Sequence, residues 1–207
     1  MAYFGEGEVT PALIGNRYSY VTYERDANGN ALTTSYYYRE GAPTVLVDGY
    51  NSIVYTRDEN GKLLVKTYYF NQTADYTNAT PVMIEGGYAA IGYTYDAYGR
   101  VTHEAYYDAD MNRVTTDAGY SGIGYVYNAA GNTLQIRYLN EQDELTRLPE
   151  GFSVYQREYD ANNHVILEQY LDNHERIVSL TSRVASTRSS YDAKGRLSRV
   201  DYLNAAL

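Results

Sequence analysis

Residues 108–112, DADMN, place Asp108, Asp110 and Asn112 at alternate positions, the donor pattern that opens a calcium-binding loop. A complete loop needs glycine at its sixth place and a bidentate glutamate at its twelfth. Arg113 and Gly119 stand there, so the pattern does not close. DANGN from Asp26 and DENGK from Asp58 share its flavour and read as hairpin turns. His103, His164 and His174 are scattered in the chain and make no clustered ligand set, so they read as surface or strand-face residues. GEGEVT (5–10) and GIGYVY (122–127) begin like dinucleotide loops but end on Thr10 and Tyr127, and neither precedes a helix. GYSGI (119–123) lacks the closing glycine of a nucleophile elbow. The carboxylates lie in turns, so a catalytic pair would have to form between segments. No catalytic residue, metal ligand or cofactor is assigned, and the chain is not expected to be an enzyme.

What remains is tyrosine. The 207 residues include 27 Tyr against 3 Phe and no Trp. Tyr favours strands and joins an apolar ring to a wet hydroxyl, which suits thin sheets with half-buried faces. The same rings can stack on sugars. A net charge of −9 argues against nucleic acid and against anionic membrane surfaces. Without cysteine the fold has no disulfide, so packing and strand pairing must hold it. No run approaches the roughly 20 apolar residues of a membrane helix. The opening MAYFGEGEVT lacks a basic and then apolar leader, so an export signal is expected to be removed or to lie outside this chain.

The elements that carry these tyrosines repeat. Gly87–Tyr88, Gly119–Tyr120, Gly151–Phe152 and Arg183–Val184 open segments 32 residues apart, after earlier openings at Arg17–Tyr18 and Gly49–Tyr50. The expected organisation is one array over 1–207: a partial repeat at 1–16, repeats at 17–48, 49–86, 87–118, 119–150 and 151–182, and a partial repeat at 183–207. The second repeat carries six extra residues within FNQTADYTNATPVMIEGG (70–87).

Position 10 of each repeat is Asp26, Asp58, Asp96, Asn128, Asp160 or Asp192. Three residues later stands Gly29, Gly61, Gly99, Gly131, Asn163 or Gly195, glycine giving way once to the residue that best tolerates a left-handed backbone. That is the signature of a hairpin turn. Before it the chain alternates, as in Ile91, Tyr93 and Tyr95. After it, position 20 is always tyrosine (Tyr36, Tyr68, Tyr106, Tyr138, Tyr170, Tyr202), followed by Tyr37, Tyr69, Tyr107, Leu139, Leu171 or Leu203. Lone hairpins are marginal in water, so an all-β, solenoid-like array of tandem hairpins is predicted, each burying its aromatic face on its neighbours. Which face position 20 occupies depends on turn length, because a one-residue slip inverts every side chain.

The units YDAYGRVTHEAYYDADMNRV (95–114) and YDAKGRLSRVDYLN (191–204) resemble the YD-type, tyrosine-rich repeats of surface and secreted proteins of Firmicutes, and more distantly the choline- and glucan-binding hairpin repeats. The resemblance implies a non-catalytic extracellular module, at the cell surface or secreted as part of a larger exported protein. Two uses follow as expectations: a stalk or spacer, and a binder of cell-wall or other polysaccharide through exposed rings. The ligand candidates are Tyr36, Tyr37, Tyr68, Tyr69, Tyr76, Tyr106 and Tyr107. Apolar array ends also suggest end-to-end self-association.

Overall fold

The computed structural model describes residues 13–14, 18–38, 42–71 and 79–205, and all of its regular structure is β. Twelve strands form six hairpins, with the hydrogen-bonded order following the chain. They are β1 (Tyr20–Arg25), β2 (Ala31–Tyr37), β3 (Ser52–Arg57), β4 (Leu63–Tyr69), β5 (Ala90–Tyr95), β6 (Val101–Tyr107), β7 (Gly122–Tyr127), β8 (Thr133–Leu139), β9 (Val154–Tyr159), β10 (Val165–Leu171), β11 (Ser186–Tyr191) and β12 (Leu197–Leu203). The chain divides into two compact units, Met1–Thr94 with Ala105–Thr116, and Tyr95–Glu104 with Asp117–Leu207.

Each hairpin turns where Asp or Asn and Gly predicted it. Asp26 N–H donates to the Asn30 carbonyl at 3.0 Å and Gly29 N–H to the Asp26 carbonyl at 3.0 Å, with counterparts from Asp58 to Asp192. Asn163 takes the left-handed place with φ 66°, beside 82° at Gly99. The extra turn residue shifts the register, as between Glu24 and Arg25, which is a bulge. DADMN folds the same way: Met111 has φ 64° and Asp108 N–H donates to the Asn112 carbonyl at 2.9 Å. A further turn closes at Gly49, Gly87, Gly151 or Arg183 before the next hairpin.

The pairing settles the faces. In the first unit Val21 opposes Tyr36, Thr34 opposes Ile53, and Ile53 opposes Tyr68. Position 20 therefore shares a face with positions 5 and 7, and position 21 lies on the other with positions 4 and 6. Pairing within a hairpin covers six residue pairs, as from Ser52↔Tyr69 to Arg57↔Leu63, but pairing between hairpins covers three, Thr33↔Val54 to Ser35↔Ser52. The second unit repeats this, with six pairs from Gly122↔Leu139 to Tyr127↔Thr133 and three from Gln135↔Gln156 to Arg137↔Val154. The hairpin-to-hairpin seam has half the backbone ladder. Side chains must supply the rest.

Position 3 marks the seam. Ser19, Asn51, Ala89, Ser121, Ser153 and Ala185 are at most 1% exposed. Each donates its N–H to the carbonyl of position 21 in its own hairpin, as Ser153 does to Leu171 at 2.7 Å. Its carbonyl accepts the N–H of the preceding position-20 tyrosine, as Ser153 does from Tyr138 at 2.9 Å. Five of the six are Ser or Ala, and the buried Asn51 turns its amide onto Asn71, donating from Nδ2 to the Asn71 carbonyl at 2.6 Å and accepting the Asn71 N–H at 2.9 Å.

Candidate functional site

The tyrosines divide by position into three sets. In the first, positions 2 and 20 interleave as a run of rings. In the first unit Tyr18, Tyr36, Tyr50, Tyr68, Tyr88 and Tyr106 follow one another with centroids 5.2, 6.2, 4.8, 6.0 and 4.9 Å apart, every pair edge to face. In the second, Tyr120, Tyr138, Phe152 and Tyr170 continue the same rule at 5.2, 5.7 and 5.0 Å. Such pairs contribute about 0.5–1.5 kcal/mol each beyond their buried area. Tyr68 and Tyr106 keep only 4% and 7% of their surface. Burial pushes the phenols of Tyr36, Tyr50 and Tyr68 up to about 12.

The second set is position 9. Its side chain reaches back 26 residues to the preceding hairpin, past the end of the short seam. Tyr127, Tyr159 and Tyr191 donate their hydroxyls to the carbonyls of Val101, Thr133 and Val165 at 2.7, 2.9 and 2.9 Å. Where the residue is arginine the same bond persists, Arg57 Nε donating to the Ala31 carbonyl at 3.1 Å. This tie was not foreseen: the alternation at Tyr95, Tyr127 and Tyr159 was visible, but not the carbonyl it answers.

The third set is the row at position 21, on the opposite face. Tyr37 stacks on Tyr20 at 5.0 Å, and the Tyr107 ring lies over Gly92, where an added Cβ would stand 3.0 Å from it. Tyr37, Tyr69 and Tyr107 are half-buried. Of the ligand candidates, then, Tyr36, Tyr68 and Tyr106 lie in the ring run, and Tyr37, Tyr69 and Tyr107 lie across the sheet from it. Tyr76 lies outside the described residues.

The acidic residues serve the turns. Asp108 Oδ1 accepts the N–H groups of Asp110 and Asn112 at 2.9 Å each, and Oδ2 accepts the Asn112 side-chain amide at 3.3 Å. Position 14 closes a similar clasp in other hairpins, through Arg100 on Asp96, Arg196 on Asp192 and His164 Nδ1 beside Asp160 at 2.9 Å. Hydrogen bonds from the Arg176 backbone and guanidinium hold the Asp172 carboxyl down at about 2. His174 gives only its N–H to Asp172, at 2.8 Å, and His103 Nε2 lies 3.2 Å from Asp143 Oδ1. Among the described residues no group of three His, Cys, Asp or Glu is placed to hold a metal ion.

Two polar clusters on the sheet faces of the second unit were not foreseen either. Glu168 gathers the Tyr155 hydroxyl, Arg157 Nε at 3.2 Å and the Thr187 hydroxyl at 3.2 Å, while Tyr125 donates to Glu104 at 3.0 Å. Across the sheet Gln135 donates to Gln156 at 2.7 Å. Both are cross-strand pairs in mid-strand, where polar residues hold neighbouring strands in register. Among the described residues, no helix is long and apolar enough to cross a membrane.

No family model matches the chain, and no curated protein matches it. Among solved structures it is similar to the Photorhabdus luminescens Tc holotoxin pore, at 16% identity and a TM-score of 0.45, over 90% of this chain and 9% of that one. It is also similar to a TcdB2–TccC3–Cdc42 crystal structure, at 15% identity and a TM-score of 0.36, over 86% and 9%. A TcdB2–TccC3–TEV crystal structure gives 15% and 0.29, over 91% and 11%. The chain thus spans about a tenth of the length of these chains.

Proposed function

We propose that the chain is a non-catalytic repeat module of an exported protein, working as a stalk or spacer whose reach is set by the number of hairpins. The observation that carries this is the ring run, in which position 20 of one hairpin meets position 2 of the next: Tyr36 meets Tyr50, Tyr68 meets Tyr88 and Tyr138 meets Phe152. Ring contacts and the position-9 ties are made between neighbours, so each added repeat extends the sheet by two strands, about 10 Å. Spin labels at Ala130 and Lys194, at the tips of the hairpins β7–β8 and β11–β12, test it. Removing residues 151–182, one whole repeat, is expected to keep the β spectrum and to shorten the label distance by about 10 Å. Loss of the fold, or an unchanged distance, would contradict the spacer reading.

A second reading, contact with cell-wall or other glycan, is favoured by the half-exposed row of Tyr37, Tyr69 and Tyr107, whose rings are not part of the buried run. Retention on insoluble polysaccharide that survives high salt and falls in Tyr69→Ala supports it; absence of retention on any neutral polysaccharide or cell-wall preparation sinks it.

A further inference from the structure

The column at position 7 is Tyr23, Tyr55, Tyr93, Tyr125 and Arg157 in the first five hairpins, and Ser189 in the sixth. Leu167 opposes Arg188 across the β10–β11 seam, which sets Ser189 against Ile166 on the face that carries the ring run. Where Tyr55 and Tyr125 reach across to Thr34 and Glu104 of the preceding hairpin, the serine leaves space. A half-open groove of about 290 Å³ occupies it, lined by Asp160, Asn162, His164, Ile166, Ser189 and Tyr191 among others.

Its aromatic wall is built in. The Tyr191 ring stacks on His164 at 4.5 Å and 20°, Tyr191 is pinned by its hydroxyl to the Val165 carbonyl at 2.9 Å, and His164 is pinned to Asp160. Two rings fixed from both ends form a rigid platform, which reduces the ordering cost of a ligand laid against it. Around the platform stand Ser189, Asn162 and the acidic turn residues Asp160 and Asp192. No Lys or Arg is among the lining residues, which disfavours a phosphate or other anion, and Ile166 and Ala193 are its only aliphatic walls, which disfavours a lipid. A flat-faced, polyhydroxylated, uncharged ring satisfies all of these at once. We infer that this groove between the fifth and sixth hairpins is a shallow subsite for a single pyranose ring, stacked on Tyr191 and His164 and hydrogen-bonded by Ser189 and Asn162. It extends the glycan reading to a site on the other face from Tyr37, Tyr69 and Tyr107, and stands apart from the spacer role.

The probes are the methyl glycosides of glucose, galactose and N-acetylglucosamine, titrated into isotope-labelled protein and followed by NMR. At least one is expected to shift the resonances of His164, Ser189 and Tyr191 saturably, with a dissociation constant of about 1 mM, as suits a shallow site. Ser189→Tyr restores the residue that four other hairpins carry, so it should fold, and it should weaken that binding at least about tenfold by filling the groove. Absence of saturable shifts with all three glycosides overturns the inference. So do shifts of His164 and Tyr191 that persist undiminished in Ser189→Tyr; polysaccharide retention that falls in Tyr69→Ala would then leave the glycan reading standing at the other face while the groove is lost.

Discussion

Tyr68 and Tyr202 hold the same position of the repeat on the same face of their hairpins, yet 4% of Tyr68 is exposed and 71% of Tyr202. The hairpins themselves do not differ enough to account for this. Both strands pair over six residues with their partner, and both turns close on an Asp and a left-handed Gly. The difference lies beside them. Tyr68 sits between Tyr50 at 4.8 Å and Tyr88 at 6.0 Å, whereas the repeat of Tyr202 has Val184 where the others place an aromatic, and β12 is the last strand in the sheet order. A position-20 tyrosine is buried by rings on both sides, one from position 2 of its own repeat and one from position 2 of the next, and not by strand pairing alone. That is why a hairpin too slight to fold alone is stable in company.

Substitutions sharpen the contrast. Tyr68→Ala empties a buried ring site and breaks two ring contacts, and it should cost about 3–5 kcal/mol in urea unfolding. Gly131→Val forces a β-branched residue to φ 90° and should cost about 1–2 kcal/mol by the same measurement, while Gly131→Asn, the residue found at 163, should cost less. Tyr159→Phe removes the hydroxyl that answers the Thr133 carbonyl and should cost about 1 kcal/mol, with faster amide exchange along the β8–β9 seam. Tyr202→Ala should change stability by less than about 0.5 kcal/mol, since little of that ring is buried. Equal losses for Tyr68→Ala and Tyr202→Ala would erase the distinction between shared and unshared rings.

Much of this was legible in the sequence, for physical reasons. Turns demand particular backbone angles, so Asp and Gly recur where the hairpins bend, and Asn163 could be read as left-handed because few residues tolerate that angle. The same chemistry separates DADMN from a calcium loop, since Asp108 spends its oxygens on its own turn. The face of position 20 was not legible, because a bulge beside the hairpin turn shifts the register by one and no composition signal marks it. Position 3 was missed for another reason. Ser, Asn and Ala share no chemistry there, only smallness, and their burial arises from two strands closing on one backbone. The ligand candidates suffered from the same gap: consecutive tyrosines put rings on both faces, but only the pairing tells that Tyr68 and Tyr106 lie in the ring run while Tyr69 and Tyr107 lie on the opposite face. The groove's signal in the sequence is Ser189, a small residue where the five other hairpins carry tyrosine or arginine.

Titration of the ring run with alkali tests the central claim most directly. Burial raises the phenols of Tyr36, Tyr50 and Tyr68 from 10 to about 12, so their contribution to stability is complete below pH 10, where the unfolded chain is also neutral, and is lost as pH rises through about 12. Carbon-13 NMR of the tyrosine ζ-carbons, read beside the β signal in circular dichroism, resolves the order of events. The expected result is that these three rings stay protonated beyond pH 10 and ionise only together with loss of the sheet. Ionisation of all three near pH 10 with the sheet intact would show that rings packed between hairpins do not hold this fold together.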